Sequence, residues 1–283
     1  MIDGHAHAFL RPSERFPRDV APVYPADLEV PVEELLAAMS GAGVAQCVLV
    51  PLSPHDEYLR ECLRRHPGTF AGVGVHDPAS SAPADDYRRR AEETGLQGLR
   101  VHHLGDPSVD EIEALPMFAL LQALADAGHV LWYYAPADQF PLLERMLEAL
   151  PGLKVVLNHL GFAMPAEFEP DEHGRPDIRT PLPPPTLPTV QALERFPRVN
   201  VMLSGQYAFS REGFPHDDLT ETVRALYGTY GPQRMLWASD FPWIRAVPGY
   251  ARQLELVDHA LPGLPPDERA AILGGTAARL FSF

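Results

Sequence analysis

A single-domain α/β protein of the (β/α)8 TIM barrel class is the fold this sequence predicts, and three observations carry the prediction. Short β-branched runs alternate with helical patterns eight times along the 283 residues. Nearly all the runs end in polar side chains able to do chemistry, and no repeat of roughly 20–50 residues competes with the alternation. With 46% hydrophobic and 22% charged residues the composition is that of an ordinary globular protein, and the length suits one large core.

Taken in order, the predicted strands are MIDGHAH (1–7), AQCVLVP (45–51), TFAGVGVHD (69–77), LQGLRVHH (96–103), HVLWYYA (129–135), LKVVLNH (153–159), VNVMLSG (199–205) and RMLWASD (234–240). Between them, VEELLAAMSGAG (32–43), MFALLQALADAG (117–128) and FPLLERMLEAL (140–150) space their apolar residues as a helix does, and glycine closes the first two. Two Pro-rich segments, about 8–31 and 162–188, break the alternation. Each follows a strand ending in histidine, so they are expected to wall the mouth of the site rather than to serve as linkers. GGTAARLF (274–281) is read as a helix start that packs the C-terminus onto the barrel.

The bulk properties exclude several functions. A net charge of −15, with no cluster of basic and aromatic residues, argues against a nucleic-acid partner. Cys47 and Cys62 make neither a disulfide framework nor a CxxC zinc site. No apolar run approaches the ~18 residues of a membrane span, and no charged segment followed by an apolar stretch opens the chain. A cytoplasmic protein is expected, with a homodimer the default assembly for such a barrel.

In parallel barrels chemistry sits at the C-terminal ends of the strands, so the residues ending these runs should converge on one face. His5 and His7, two apart on a strand, project to the same side, which is the geometry of a metal clamp or of a paired acid/base site. His159 ends the sixth run and Asp240 the eighth. His102 and His103 alternate faces, as do Tyr133 and Tyr134, so only one of each pair looks inward.

Four motifs, DGHAH (3–7), VVLNHLG (155–161), LWASDFPW (236–243) and ILGGTAARLF (272–281), in this order and spacing resemble the amidohydrolase superfamily. The branch is amidohydrolase-2, which holds the 2-pyrone-4,6-dicarboxylate lactonase group and mononuclear metal-dependent decarboxylases. The resemblance spans essentially the whole chain. It implies a hydrolase in which Asp240 activates water, with His5, His7 and His159 ligating a metal or polarising the scissile carbonyl. Arg100, in the lactonase group's GxR pattern, would hold an anionic small-molecule substrate. Tyr134, His103 and Trp243 complete the expected substrate contacts.

Two departures bear on the metal. The fourth strand lacks the lysine that bridges binuclear sites, and the sole lysine, Lys154, starts the sixth strand. The fifth ends in tyrosines, where the decarboxylases place a ligating histidine. One zinc or manganese ion on His5, His7, His159 and Asp240 is therefore the most the resemblance implies, with metal-free catalysis as the alternative. Lactone opening is the expected reaction. Decarboxylation of an aromatic or unsaturated acid, and a non-catalytic acid-binding barrel, are the alternatives.

Overall fold

The computed structural model describes all residues 1–283. Eight strands, Ile2–Ala6, Gln46–Leu49, Phe70–Val75, Leu96–Val101, Val130–Tyr133, Lys154–Leu157, Val199–Leu203 and Met235–Trp237, form one sheet in chain order, every pairing parallel. Helices return the chain between them, among them Val32–Ala42, Glu57–Arg65, Pro83–Thr94, Pro116–Ala127, Phe140–Ala149 and Thr220–Tyr230. Proline at the first helical position starts two of them, where its missing N–H costs nothing, and Gly43, Gly95 and Gly128 close helices in the left-handed conformation. The strands are shorter than their sequence runs. The last residues of each run leave the ladder and turn into the mouth, which is where the polar side chains lie.

Alternation along the strands sorts the apolar residues into two cores. Val48, Val73, Trp132, Val156, Met202 and Leu236 fill the barrel interior, and Leu49, Leu99, Leu131, Val155 and Leu203 face the helices. The C-terminal helix Thr276–Leu280 plugs the floor, and Phe281 packs against Trp132 with ring centroids 5.6 Å apart. No helix is long and apolar enough to cross a membrane.

The ring closes between its first and last strands. His7 N–H donates to Phe241 O at 2.7 Å and Asp240 N–H to His5 O at 3.0 Å. Below them the buried Asp3 carboxylate ties the seam, accepting from Ser239 N–H at 2.9 Å, Ser239 Oγ–H, Tyr250 Oη–H at 2.6 Å and His5 N–H at 3.1 Å. A Cβ on Gly4 would lie 2.8 Å from Trp237 O, so only glycine lets these strands approach. The Asp-Gly before the histidine pair is thus a seam.

The Pro-rich segments are ordered walls. In the first, Phe9 and Val30 form an antiparallel bridge, and the Arg18 guanidinium donates to the carbonyls of Leu10, Tyr24, Pro25 and Leu28. In the second, Glu169–Pro170 pairs antiparallel with Pro176–Asp177, and Asp171 holds Arg175 at 2.8 Å.

Gly4→Ala forces Cβ into the Trp237 carbonyl and is expected to cost about 1–3 kcal/mol. At this size that is a fall of roughly 2–4 °C in Tm per kcal/mol, read by thermal denaturation. An unchanged Tm would contradict the seam.

Candidate active site

Seam closure places His5, His7 and Asp240 around one point. His5 Nε2 lies 3.1 Å from His7 Nε2, and Asp240 Oδ1 is 3.5 Å from the first and 3.6 Å from the second. His159 approaches from the sixth strand, its Nδ1 3.9 Å from Asp240 Oδ2. Tyr207, following the seventh, donates to that Oδ2 at 2.7 Å. His159 and Asp240 both adopt left-handed backbone conformations, at φ 48° and 57°, which L-residues sustain only where their surroundings impose them. Gly205 (φ 73°) is required opposite His159, because a Cβ there would stand 2.8 Å from Nδ1.

Hydrogen-bond partners identify the tautomers. The indole N–H of Trp132, a donor only, lies 2.9 Å from His5 Nδ1, which therefore accepts and leaves the neutral ring's proton on Nε2. Val50 O, an acceptor only, lies 2.7 Å from His7 Nδ1, which therefore donates. The short Nε2–Nε2 contact is then a hydrogen bond from His5 to His7. His159 donates from Nδ1 to Ser204 Oγ at 2.9 Å and presents Nε2 to Arg100 Nη2 at 3.5 Å.

Burial controls the charges. It pushes the His159 imidazole down to about 4 and, helped by neighbouring His7, pushes His5 well below the usual histidine range, so both rings are neutral near pH 7. Burial alone would raise the Asp240 carboxyl, but the surrounding imidazoles outweigh it and hold the carboxyl below the usual carboxylate range. Burial lowers Arg100 from arginine's ordinary value and leaves it a cation. No carboxylate pairs with Arg100. Its guanidinium stands over the Tyr134 ring at 5.2 Å, and its buried Nε has no partner.

The trio opens into a cavity of about 240 Å³, small for a ligand site, whose 18 lining residues include 11 hydrophobic ones. Both Pro-rich segments wall it, the first through Val23 and Tyr24, the second through Met164, Phe168, Pro176 and Ile178. Arg100, Tyr134, His159, Asp240 and Trp243 line it. Trp243 is a buried wall, its ring 6.4 Å from His7.

Two expectations need correction. His103 is exposed and outside the cavity, which His102 lines instead. Arg100 faces the mouth, and alternation puts position 102 on the same side and 103 on the other. His159 has no proton for a carbonyl, since its one N–H is given to Ser204 and its free nitrogen meets Arg100. Trp132 and Tyr207 were not foreseen. Trp132 was legible from its parity with Tyr134 on one strand, whereas Tyr207 follows the seventh strand in a segment with no motif.

The amidohydrolase family model matches residues 2–283. The chain belongs to the amidohydrolase family. An L-fucono-1,5-lactonase from Burkholderia ambifaria is 26% identical over 271 residues, covering 88% of this chain and 84% of that protein. Another, from Burkholderia multivorans, is 30% identical over 200 residues, covering 67% and 64%. Among solved structures, a candidate 2-pyrone-4,6-dicarboxylic acid hydrolase from Pseudomonas putida superposes with a TM-score of 0.72 at 25% identity, covering 99% of this chain and 96% of that one.

His5, His7 and Asp240 bring three ligand-type atoms together, at separations close to the ~3.3 Å edges of a tetrahedral zinc site. Their hydrogen bonding does not fit an ion as a set. His7 donates its second ring nitrogen to a carbonyl, as a metal ligand does, but His5 receives a bond there and carries its proton on the nitrogen that would ligate.

Neutral buried histidines have a consequence for stability. His159 and His102 are both held to about 4, against roughly 6.5 when unfolded, so the unfolded chain binds more protons between those values. Their contribution is intact above about pH 6.5 and is lost as pH falls toward 4. Tm is expected to fall between about pH 7 and 5, with a smaller slope in His102→Asn. The buried Asp3 carboxyl, raised to about 6, acts in the opposite sense, so the comparison decides: a slope in His102→Asn equal to that of the native chain would contradict the neutral assignment.

Proposed function

We propose that this chain opens the ring of a lactone bearing one carboxylate, with Asp240 as the base that activates water. The carrying observation is the proton pattern at the trio. Once a water replaces the His5–His7 hydrogen bond, Asp240 Oδ1 and His7 Nε2 present two acceptors to it, and His5 Nε2–H presents one donor. A water molecule has two hydrogens to give and one lone pair to take that bond, which leaves its second lone pair for attack.

Attack on the lactone carbonyl forms the C–O bond while Asp240 takes the water proton. The tetrahedral intermediate then collapses with rupture of the ring C–O bond, and the departing alkoxide recovers that proton from Asp240, giving a hydroxy acid. The Tyr134 hydroxyl donates to the carbonyl oxygen, and burial keeps this phenol protonated by raising it above the ordinary tyrosine value. The buried Arg100 cation offsets negative charge on the substrate and in the transition state.

The walls narrow the substrate class. Arg100 is the only lysine or arginine lining the cavity, and most of the remaining lining is apolar or aromatic. One carboxylate is thus matched, whereas a second would be desolvated against Phe168, Ile178 or Phe209 without a partner. The lactonase names of the relatives support ring opening. Metal-dependent decarboxylation is the weaker reading, because the fifth strand delivers Trp132 and Tyr134 where that reaction's ligand would stand. A binding barrel without chemistry gives no account of the left-handed backbone at both His159 and Asp240.

A panel of lactones carrying no, one or two carboxylates, assayed by acid release, tests the reading. Monocarboxylates should give the highest kcat/KM, and Asp240→Asn should lower kcat about 10²–10⁴-fold. Arg100→Met should raise KM for the carboxylated lactone by about tenfold or more and leave a neutral lactone little changed. Full activity in Asp240→Asn would overturn the assignment of the base.

A further inference from the structure

The family's metal site and the metal-free hydrogen-bond site differ here in where one proton sits, and the residue that decides it touches neither water nor substrate. We propose that Trp132 is a positioning residue: its indole N–H fixes His5 in the tautomer that donates from Nε2, and this arms the histidine pair for water and disarms it for a divalent cation.

Three hydrogen bonds run in line through the two imidazoles. Trp132 Nε1–H gives to His5 Nδ1 at 2.9 Å, His5 Nε2–H to His7 Nε2 at 3.1 Å, and His7 Nδ1–H to Val50 O at 2.7 Å. Indole has no lone pair to offer and the carbonyl has no proton, so both ends are fixed and the two imidazoles between them have one arrangement that satisfies every contact. If His5 moved its proton to Nδ1, two N–H groups would confront each other at 2.9 Å in a fully buried place, and the indole would have no acceptor.

Little freedom remains for Trp132 to swing away. It is wholly buried in the barrel interior, its plane within 10° of the His5 ring, with Phe281 of the C-terminal helix packed against it at 5.6 Å. A metal on His5 Nε2 requires a lone pair there. With Trp132 in place that means removing the ring's only proton, which leaves His7 and Asp240 as an incomplete ligand pair. The same proton, turned from His7 to an entering water, is the one that holds the oxygen for attack.

The inference concerns the site of the proposed lactonase, but it stands on hydrogen bonds and is tested without substrate. In chain labelled with ¹⁵N-histidine, a long-range ¹H–¹⁵N correlation near neutral pH reports each ring's tautomer, and His5→Gln identifies the His5 signals. Native protein should show His5 protonated on Nε2 and unprotonated on Nδ1. Trp132→Phe, which keeps an aromatic ring and deletes the N–H, should move the proton toward Nδ1. Zinc ions titrated into chelator-dialysed Trp132→Phe should bind about 10- to 100-fold more tightly than to the native chain, a gain lost when His7→Ala is added.

A native His5 protonated on Nδ1, or equal zinc affinity in both proteins, overturns the proposal. Should Trp132→Phe fail to fold, the tautomer of the native chain decides alone. A protein with the Nε2–H tautomer that opens no lactone leaves this inference standing and defeats the functional reading, and an active lactonase with the other tautomer does the reverse.

Discussion

The parallel contact between the first and eighth strands is the constraint on which the rest depends. Two backbone hydrogen bonds across it, His7 to Phe241 and Asp240 to His5, engage all three residues whose side chains form the trio. The ring cannot close without assembling the trio, and the trio cannot loosen without opening the ring. Asp3 reinforces the coupling by satisfying four donors from both sides, and Gly4 permits it by offering no side chain to the Trp237 carbonyl. A chain 283 residues long thus brings the chemistry of its first and last strands within hydrogen-bonding range by backbone pairing.

Desolvation then does the chemical tuning. In water the histidines would exchange protons freely near neutral pH, but in the barrel mouth burial holds His5 and His159 neutral, and the imidazoles around Asp240 keep it ionised. Neutral rings have one donor and one acceptor each, so their orientation carries information that charged rings would lose. Trp132 and Val50 write that orientation from outside the cavity; Ser204 orients His159, and Tyr207, in the cavity wall, orients Asp240. The single uncompensated charge of opposite sign is Arg100, which is where an anion belongs.

Much of this was legible in the sequence, for identifiable reasons. The eight strands showed because β-branched runs buried on both faces differ sharply from amphipathic helices. His5, His7, His159 and Asp240 showed because barrel topology sends strand ends to one place, and alternation showed that only one of Tyr133 and Tyr134 faces the mouth, which the structure gives to Tyr134. His102 rather than His103 faces the mouth because the alternation from Arg100 continues two residues past the ladder. Trp132 looked like core and is core; its N–H acquires meaning only once His5, 127 residues away in the chain, is known to lie 2.9 Å from it. Tyr24 and Phe168 reach the cavity through irregular backbone, and Tyr207 from the single helical turn Gln206–Phe209, both too short or too aperiodic for a sequence period to describe.

The central claim is that a seam-assembled, water-holding trio hydrolyses an ester bond without a Lewis acid. The most direct measurement is turnover of a monocarboxylate lactone by chelator-treated protein in H₂¹⁸O, with product mass and released gas followed together. The account predicts one ¹⁸O atom in the new carboxylate, undiminished turnover after chelation and no carbon dioxide. Carbon dioxide release, or activity that vanishes on chelation and returns with zinc or manganese, would contradict it.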